Sequence, residues 1–346
     1  SDDDAPRDQL LTLSVVDRVA RLAGAETFTS TLAAHVMSVG ARTGALRAYY
    51  VLNDAGEPFA DQLGGAFFAQ GLTANAPQRL TPNSATVAPG DDAPGLGFRN
   101  EVHEGMNVGA RLADPDPPTT GVPVADDDVV TVVLWYNAED VSTLPALAWL
   151  NGGGVLVQLD ALFTLQATFF CDSQTATAVG NASPTDKPVM IAARLRKSPA
   201  LAELWVDGEV FSGTLTGVPG GASLNVTDFF YVGEWYTGTM AHLQLWIGPE
   251  DVFGLTDLEE QWEVGRLGLA GQLSGERVRT ILRYAGVGDG ELSEIDDGTA
   301  AMQGASLAGA TPADALRVAT ETEQGRLGAD GLNRVTFADR RRLYNI

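Results

Sequence analysis

Between residues 46 and 252, short apolar or alternating runs follow one another without a helical period between them. Glycine, proline, asparagine or aspartate clusters separate them. Period-2 alternation bounded by turn residues marks β-strands. The pattern predicts strands at Ala48–Leu52, Thr86–Val87, Val129–Asn137, Pro145–Leu150, Val155–Asp160, Leu162–Phe170, Val189–Arg196, Ala202–Val206, Glu209–Phe211, Asp228–Val232 and Thr239–Ile247. So many short strands without helices imply a mainly β fold, an antiparallel β-sandwich or jelly roll. All six tryptophans (Trp135, Trp149, Trp205, Trp235, Trp246, Trp262) fall between 135 and 262, which places one aromatic-rich core there. The stretch Asp114-Pro115-Asp116-Pro117-Pro118, followed by Asp126-Asp127-Asp128, reads as an exposed loop, since proline removes donors and aspartate demands water.

The flanks carry a different period. Residues 9–23 read as a strand leading into a short helix, with Val15, Val16, Val19, Leu22 and Ala23 at helical spacing and Gly24 as a stop; a second helix is expected over roughly 28–39. Beyond Gly254 the helical period returns. Thr256-Asp257-Leu258-Glu259 fits a capping box, and Ser274-Gly275-Glu276-Arg277 opens a helix with Val278, Ile281, Leu282 and Ala285 on one face. Thr311-Pro312 opens a third, with Ala315, Leu316, Val318 and Ala319 as its apolar face, and Asp330-Gly331 turns into a final strand. The expected organisation is a split α+β domain at 1–40 and 253–346, interrupted by a sandwich at 41–252. For that insertion to be tolerated, the two flanks must pack into one unit.

Composition narrows the function. Asp and Glu number 45 against 22 Lys and Arg, a formal net charge of −23, which repels phosphate backbones and argues against nucleic-acid binding. Most of the excess, a net −15, lies in residues 41–252. No apolar stretch approaches the roughly 18 residues of a membrane span, and no basic segment precedes an apolar run at the start. The single cysteine, Cys171, excludes a disulfide framework and Cys-based zinc sites. Lys187 and Lys197 are the only lysines, so arginine supplies the other cations; with 39 glycines this suggests a GC-rich genome. The chain opens on Ser1 and an acidic lead-in, as expected of a section cut from a longer protein.

Several motifs in order resemble a known family. Leu204-Trp205-Val206-Asp207-Gly208-Glu209-Val210, Tyr231-Val232-Gly233 with Gly238–Trp246, and Leu255–Trp262 resemble the hairpin, late strand pair and closing helix of concanavalin-A-like laminin-G jelly rolls. Asp207-Gly208 suits a tight hairpin, which needs positive φ. The flanks resemble minor tail proteins of actinobacterial phages. The matching stretches are Leu11–Ala23, Ala48-Tyr49-Tyr50-Val51-Leu52-Asn53-Asp54, Arg277–Gly286, Ile295-Asp296-Asp297-Gly298, Thr320–Leu327 and Asp330–Arg340. Leu327-Gly328-Ala329-Asp330 is less aromatic than the usual form. The resemblance implies a virion protein of the tail-tip or baseplate hub, carrying an inserted lectin-like module. Its expected partners are other tail-tip proteins, two further copies of itself in a homotrimer, and a host cell-wall glycan. The alternative is a free carbohydrate-binding module or an inactive glycosidase-like lectin, which would have no need of hub-like flanks.

Enzymatic signatures are weak. Glu294-Ile295-Asp296-Asp297-Gly298 lacks the last carboxylate of a laminarinase-type motif and reads as a turn. Gly304–Ala308 lacks the closing glycine of a nucleophile elbow. Asn151-Gly152-Gly153-Gly154 precedes a strand, which favours a hairpin over a phosphate cradle. His242 is expected at a sheet surface and His103 in a loop. No catalytic residue or cofactor is expected. Two binding candidates remain. The run Phe229–Tyr236 ends in a polar loop, placing Trp235 and Tyr236 at a rim, as a sugar platform or, for Trp235, as a cap of the sandwich; Trp205 and Trp246 belong to the core. Laminin-G modules often bind calcium at the rim, and Asp126, Asp127 and Asp128, with Asp114 and Asp116, offer hard oxygen ligands; the alternative is a solvated acidic face.

Overall fold

The computed structural model describes residues 22, 24–56, 58–64, 66–71, 80–99, 101–103, 106–108, 110–113, 122–140, 146–150, 154–160, 164–171, 174–182, 186–213, 225–226, 230–330, 332 and 334–344. For Trp149 and Tyr231 it gives the backbone pairing. The predicted strand and helix at 9–23 lie outside these residues, apart from a buried Leu22. The chain divides into two compact units. One comprises Thr43–Pro89 and Ala93–Trp262; the other draws on residues up to Arg42, on Gly90–Asp92 and on the chain from Glu263 onward.

The first unit is an antiparallel β-sandwich. One eight-stranded sheet runs in the order 209–212, 201–206, 189–196, 129–140, 237–248, 96–98 and 80–81, and 46–50 also pairs with 237–248. The second runs 174–182, 164–171, 155–159, 146–150, 230–234, 110–113, 66–71 and 59–60. The long strand Val129–Asp140 sends Val130, Val132, Leu134 and Tyr136 inward to meet Val155, Val157, Leu165, Ala167 and Phe169 of the opposite sheet. Alternate residues therefore fill one core between the sheets, as strand geometry requires. Asp207 (φ 46°) and Gly208 (φ 98°) form the two-residue turn between Leu201–Val206 and Glu209–Ser212. The Asp207 carboxylate also accepts the Met190 N–H at 2.9 Å, which ties the turn to the neighbouring strand.

The first sheet is buried on both faces. On its outer side Trp246 stacks on Phe253, with centroids 3.8 Å apart and planes 1° apart, and Trp205 meets the edge of Trp262 at 6.3 Å. Trp135, Trp205 and Trp246 are at most 2% exposed. This packing carries the sandwich unit on to Trp262.

Ten of the expected strands are present within one to three residues of their limits. Thr86–Val87 is irregular instead. Strand Gln174–Ala182 was not anticipated: its Thr/Ala alternation offers little apolar bulk, yet Ala176 and Ala178 are buried in the core. His103 ends a short strand, Glu101–His103, paired with Met106–Val108, where a loop was expected.

Among the described residues the second unit holds the helices α1 (Thr31–Thr43), α2 (Leu255–Leu267), α3 (Ser274–Tyr284), α4 (Pro312–Glu323) and α5 (Arg340–Tyr344), besides the helical Leu22 and a short 3-10 turn at Asp289–Glu291; α1 and α2 each continue across the division into the sandwich unit. The Ser30 hydroxyl caps α1 by accepting the Ala33 N–H at 3.1 Å. The cap of α2 is Asp257 reaching back to the Gly254 N–H at 2.9 Å, two residues before the predicted box. Thr311 caps α4 as its sequence suggests, accepting the Asp314 N–H at 3.1 Å. Val318 is 55% exposed, off the stripe formed by Ala315, Leu316 and Ala319. The strands Leu292–Ile295, Val335–Ala338 and Arg326–Ala329 form a mixed sheet, parallel for the first pair and antiparallel for the second. Residues on either side of the sandwich meet within this unit. Phe28 N–H bonds Ala310 C=O at 3.0 Å, and the Thr31 hydroxyl bonds Ala305 C=O at 2.8 Å.

His35 of α1 is buried, with Nδ1 3.2 Å from the Tyr284 hydroxyl. Burial, and then the nearby charges of Arg42 and Arg283, lower its pKa to about 4. In the unfolded chain it protonates near 6.5, so the unfolded state binds the extra proton between these values. Stability should therefore fall as pH drops from about 6.5 towards 4. A His35→Gln variant should show a flatter decline than the parent above pH 5 in melts across that range. Equal slopes would show that His35 is not the group responsible.

Candidate functional site

Trp235 and Tyr236 link Phe230–Glu234 of the second sheet to Thr237–Gly248 of the first. Trp235 takes a left-handed conformation (φ 63°) and is half-buried in the turn. Tyr236 is fully buried. Its hydroxyl donates to the Thr239 carbonyl at 3.3 Å, and its ring lies edge-on to Phe98 and Tyr136 at 6.1 and 6.4 Å. Burial first, with nearby Tyr136 and Glu139, pushes its phenol well above the ordinary range. The rim expectation is thus corrected for Tyr236. The link is too short to form an external loop, and the chain re-enters the core one residue after Trp235. The two rings do not form a shared platform.

The aspartate run also has a structural use. Asp126 pairs with Lys197 at 2.9 Å, and its carbonyl accepts the Ser198 N–H at 2.8 Å. Asp128 accepts the Ala125 N–H at 3.1 Å, closing the turn into strand 129–140. Asp127 is exposed. Among the described residues no group of three His, Cys, Asp or Glu side chains is placed to hold a metal ion. Two of these carboxylates already serve a lysine and a backbone donor. Asp114 and Asp116 lie outside the described residues.

The histidine and acidic motifs are likewise engaged. His242 is buried, its Nδ1 2.8 Å from the Tyr49 hydroxyl. Glu294 and Asp296 both pair with Arg342, and Asp297 pairs with Arg279 at 2.9 Å. Asp296, Asp297, Arg279 and Arg342 line an open cleft of about 530 Å³ together with Asp339 and Arg341. Its three guanidiniums face three aspartates, and the pairs fasten residues 340–342 to strand 292–295 and its turn.

The outer face of the second sheet is different. In Val155–Leu159, Thr164–Cys171 and Gln174–Ala182, buried and solvent-facing positions alternate. The ladder aligns Val232, Ala148, Val157, Ala167 and Ala178 in one row, all buried. Two positions along, Val155, Phe169 and Ala176 form another buried row. The row between them holds Leu156, Thr168 and Thr177, half-buried or exposed, and its register continues to Trp149 and Tyr231. A neighbouring row holds Gln158, Gln166 and Val179. Val179 and Phe170 are 52% and 40% exposed. The Thr168 and Thr177 hydroxyls lie 3.5 Å apart, and Gln166 donates to Asp160 at 3.2 Å. Such a face offers hydroxyl and amide groups beside apolar ones, with the Asp160 carboxylate bonded to Gln166. Sequence reasoning missed it because it missed strand 174–182. The available signal was the strict Thr/Ala alternation from Thr175 to Ala178.

No protein-family model matches the chain, and no curated protein matches it in sequence. Among solved structures it is similar to one of botulinum neurotoxin type C, described by that toxin's interaction with two ganglioside molecules. That match has a TM-score of 0.45 and 6% identity, over 68% of this chain and 54% of the other. It is also similar to the binding domain of botulinum neurotoxin DC in complex with rat synaptotagmin II (TM-score 0.44, 6% identity, 67% and 54% covered). A third is Trypanosoma rangeli sialidase in complex with sialic acid (TM-score 0.41, 14% identity, 64% and 32% covered). The chain spans about half the length of the toxin structures it matches.

Proposed function

We propose that this chain is a structural protein of a phage tail tip, and that its sandwich is a lectin-like module presented to host cell-surface glycans. The observation that carries the tail-tip reading is where the tail-protein motifs meet. The turn after Ile295, the start of α3 and the end of α4 join at one buried carboxylate. Glu323 accepts hydrogen bonds from Ser274, Thr299 and Ala300 at 2.7, 2.9 and 2.9 Å. These motifs thus serve one small unit, and the bonds from Phe28 to Ala310 and from Thr31 to Ala305 join residues on either side of the sandwich within it, as expected of a hub domain that tolerates an insertion. The glycan reading is supported by the hydroxyl, amide and apolar groups on the open face of the second sheet.

Two measurements test this. Gold-labelled antibodies raised against the purified chain should mark one end of the tail in electron micrographs of the phage particle. Label elsewhere, or none on intact and opened particles alike, would overturn the tail-tip reading. A closed ring suits a coaxial tail, so light scattering of the full chain should give three times 36.4 kDa. A monomer at all accessible concentrations would remove the trimer from the proposal.

A further inference from the structure

We infer that copies of this chain join head to tail, with α5 of one copy seated on α2 of the next; this rests on the trimer proposed above and names its contact. The sequence holds one run of three consecutive cations, Arg340-Arg341-Arg342, in a chain of net charge −23. Arg340 stands 3.6 Å from the Glu323 carboxylate, and Arg342 pairs with Glu294 and Asp296. Arg341 is exposed and forms no ion pair among the described residues. Tyr344, three residues further along the same side of α5, is 64% exposed, and Leu343 beside it is 41% exposed. The helix thus presents one unspent cation next to an aromatic ring and an apolar side chain.

Charge selects the occupant. Copies that each carry −23 repel one another, so they meet stably only where opposite charges face. Helix α2 offers the complement. Glu260, Glu263 and Leu267 follow at i, i+3 and i+7, which aligns them along one stripe, and Glu259 lies one turn before Glu263. The three glutamates are exposed, and none forms an ion pair among the described residues. Leu267 is 42% exposed. Each surface therefore sets charge beside apolar area, a cation with a tyrosine on one and carboxylates with a leucine on the other. Arginine and tyrosine are the residue types that carry most binding energy at the desolvated centre of an interface. The two surfaces differ, so the contact is heterologous, and heterologous contacts can close into rings.

The test is light scattering of the full chain at low and high salt, with melting temperatures recorded for each variant. The parent should have the mass of three chains at low salt and dissociate as salt rises, since exposed charges are screened beyond about 10 Å at 0.1 M. Arg341→Glu alone, and Glu260→Arg together with Glu263→Arg, should each weaken association at least about tenfold. Arg341→Gln removes the same cation without adding a carboxylate beside Asp297 and Asp339, and should act in the same direction. Tyr344→Ala should weaken association while leaving its salt dependence as in the parent. Combining Arg341→Glu with Glu260→Arg and Glu263→Arg should restore the trimer. If the parent is a trimer and the variants associate as it does, this contact is overturned and the trimer stands. If the combination stays as weak as its parts, α5 and α2 are not partners and the inference fails. A parent of two chains would require a self-complementary patch and would overturn the head-to-tail pairing. A parent that stays monomeric throughout removes the trimer and this contact with it.

Discussion

Replacing Glu323 by alanine is expected to unfold the helical unit at temperatures where the parent is intact, with a loss of about 3–5 kcal/mol. The carboxylate at the end of α4 is fully buried. One oxygen accepts the Ser274 hydroxyl and the Thr299 and Ala300 N–H groups, and the other accepts the Thr299 hydroxyl at 2.9 Å. Arg340 stands 3.6 Å away. Alanine would strand these donors together, and an orphaned buried donor costs far more than a neutral hydrogen bond contributes. Burial alone would raise the Glu323 carboxyl, but the bonds from Thr299, Ser274 and Ala300 outweigh it and hold it at about 2. In the unfolded chain it titrates near 4.5, so its contribution is complete above that pH and is lost as pH falls towards 2. Thermal melts should show a drop of roughly 10 °C or more for Glu323→Ala at neutral pH. Glu323→Gln keeps one acceptor oxygen, so it should lose less and should lack the acid limb. A drop of only a degree or two for alanine would mean that water replaces the carboxylate in this node.

What the sequence made legible follows from where apolar residues set the structure. Val189–Arg196 and the Asp207-Gly208 hairpin could be read directly, because β-branched runs and positive-φ turn residues have few alternative uses. The Thr311 cap of α4 was equally legible, since Thr-Pro-x-Asp fixes both the cap and the first turn. Strand 174–182 was not. Alanine and threonine carry weak preferences, and what places this strand is close packing of Ala176 and Ala178 against the opposite sheet. Tyr236 shows a second limit. Alternation placed it beside Trp235 at the rim, but alternation within one strand does not say that the next residues cross to the other sheet. The Asp126 run shows a third: a row of acids does not say which of them is engaged, and only the fold reveals that Asp126 pairs with Lys197. The open outer face of the second sheet depends on register between its strands, which periodicity within a segment does not encode.

The start of α3 yields a contrast in which one added methyl group acts in opposite directions. Gly275 lies in the first turn of the helix, with its N–H bonded to the Asp297 carbonyl at 2.9 Å. Helix propensity alone would make Gly275→Ala favourable by up to about 1 kcal/mol. Packing reverses the sign. A Cβ at 275 would sit 1.8 Å from the Asp296 carbonyl oxygen and 2.8 Å from the carbonyl carbons of Asp296 and Asp297. These are backbone atoms of the turn that carries Thr299 and Ala300 to Glu323, so they cannot yield without disturbing that node. The steric cost should reach at least about 3 kcal/mol and outweigh the propensity gain. Gly290, in the short turn Asp289–Glu291, has open space where its Cβ would go and does not adopt a positive φ. Alanine there should be neutral or stabilising by about 0.4–1 kcal/mol, because it restricts the unfolded chain. Denaturant titrations of the two variants should therefore move in opposite directions from the parent midpoint, with similar slopes. If Gly275→Ala matches the parent, the turn at 296–297 can shift by more than an ångström, and the close fit of α3 against it is not what selects glycine there.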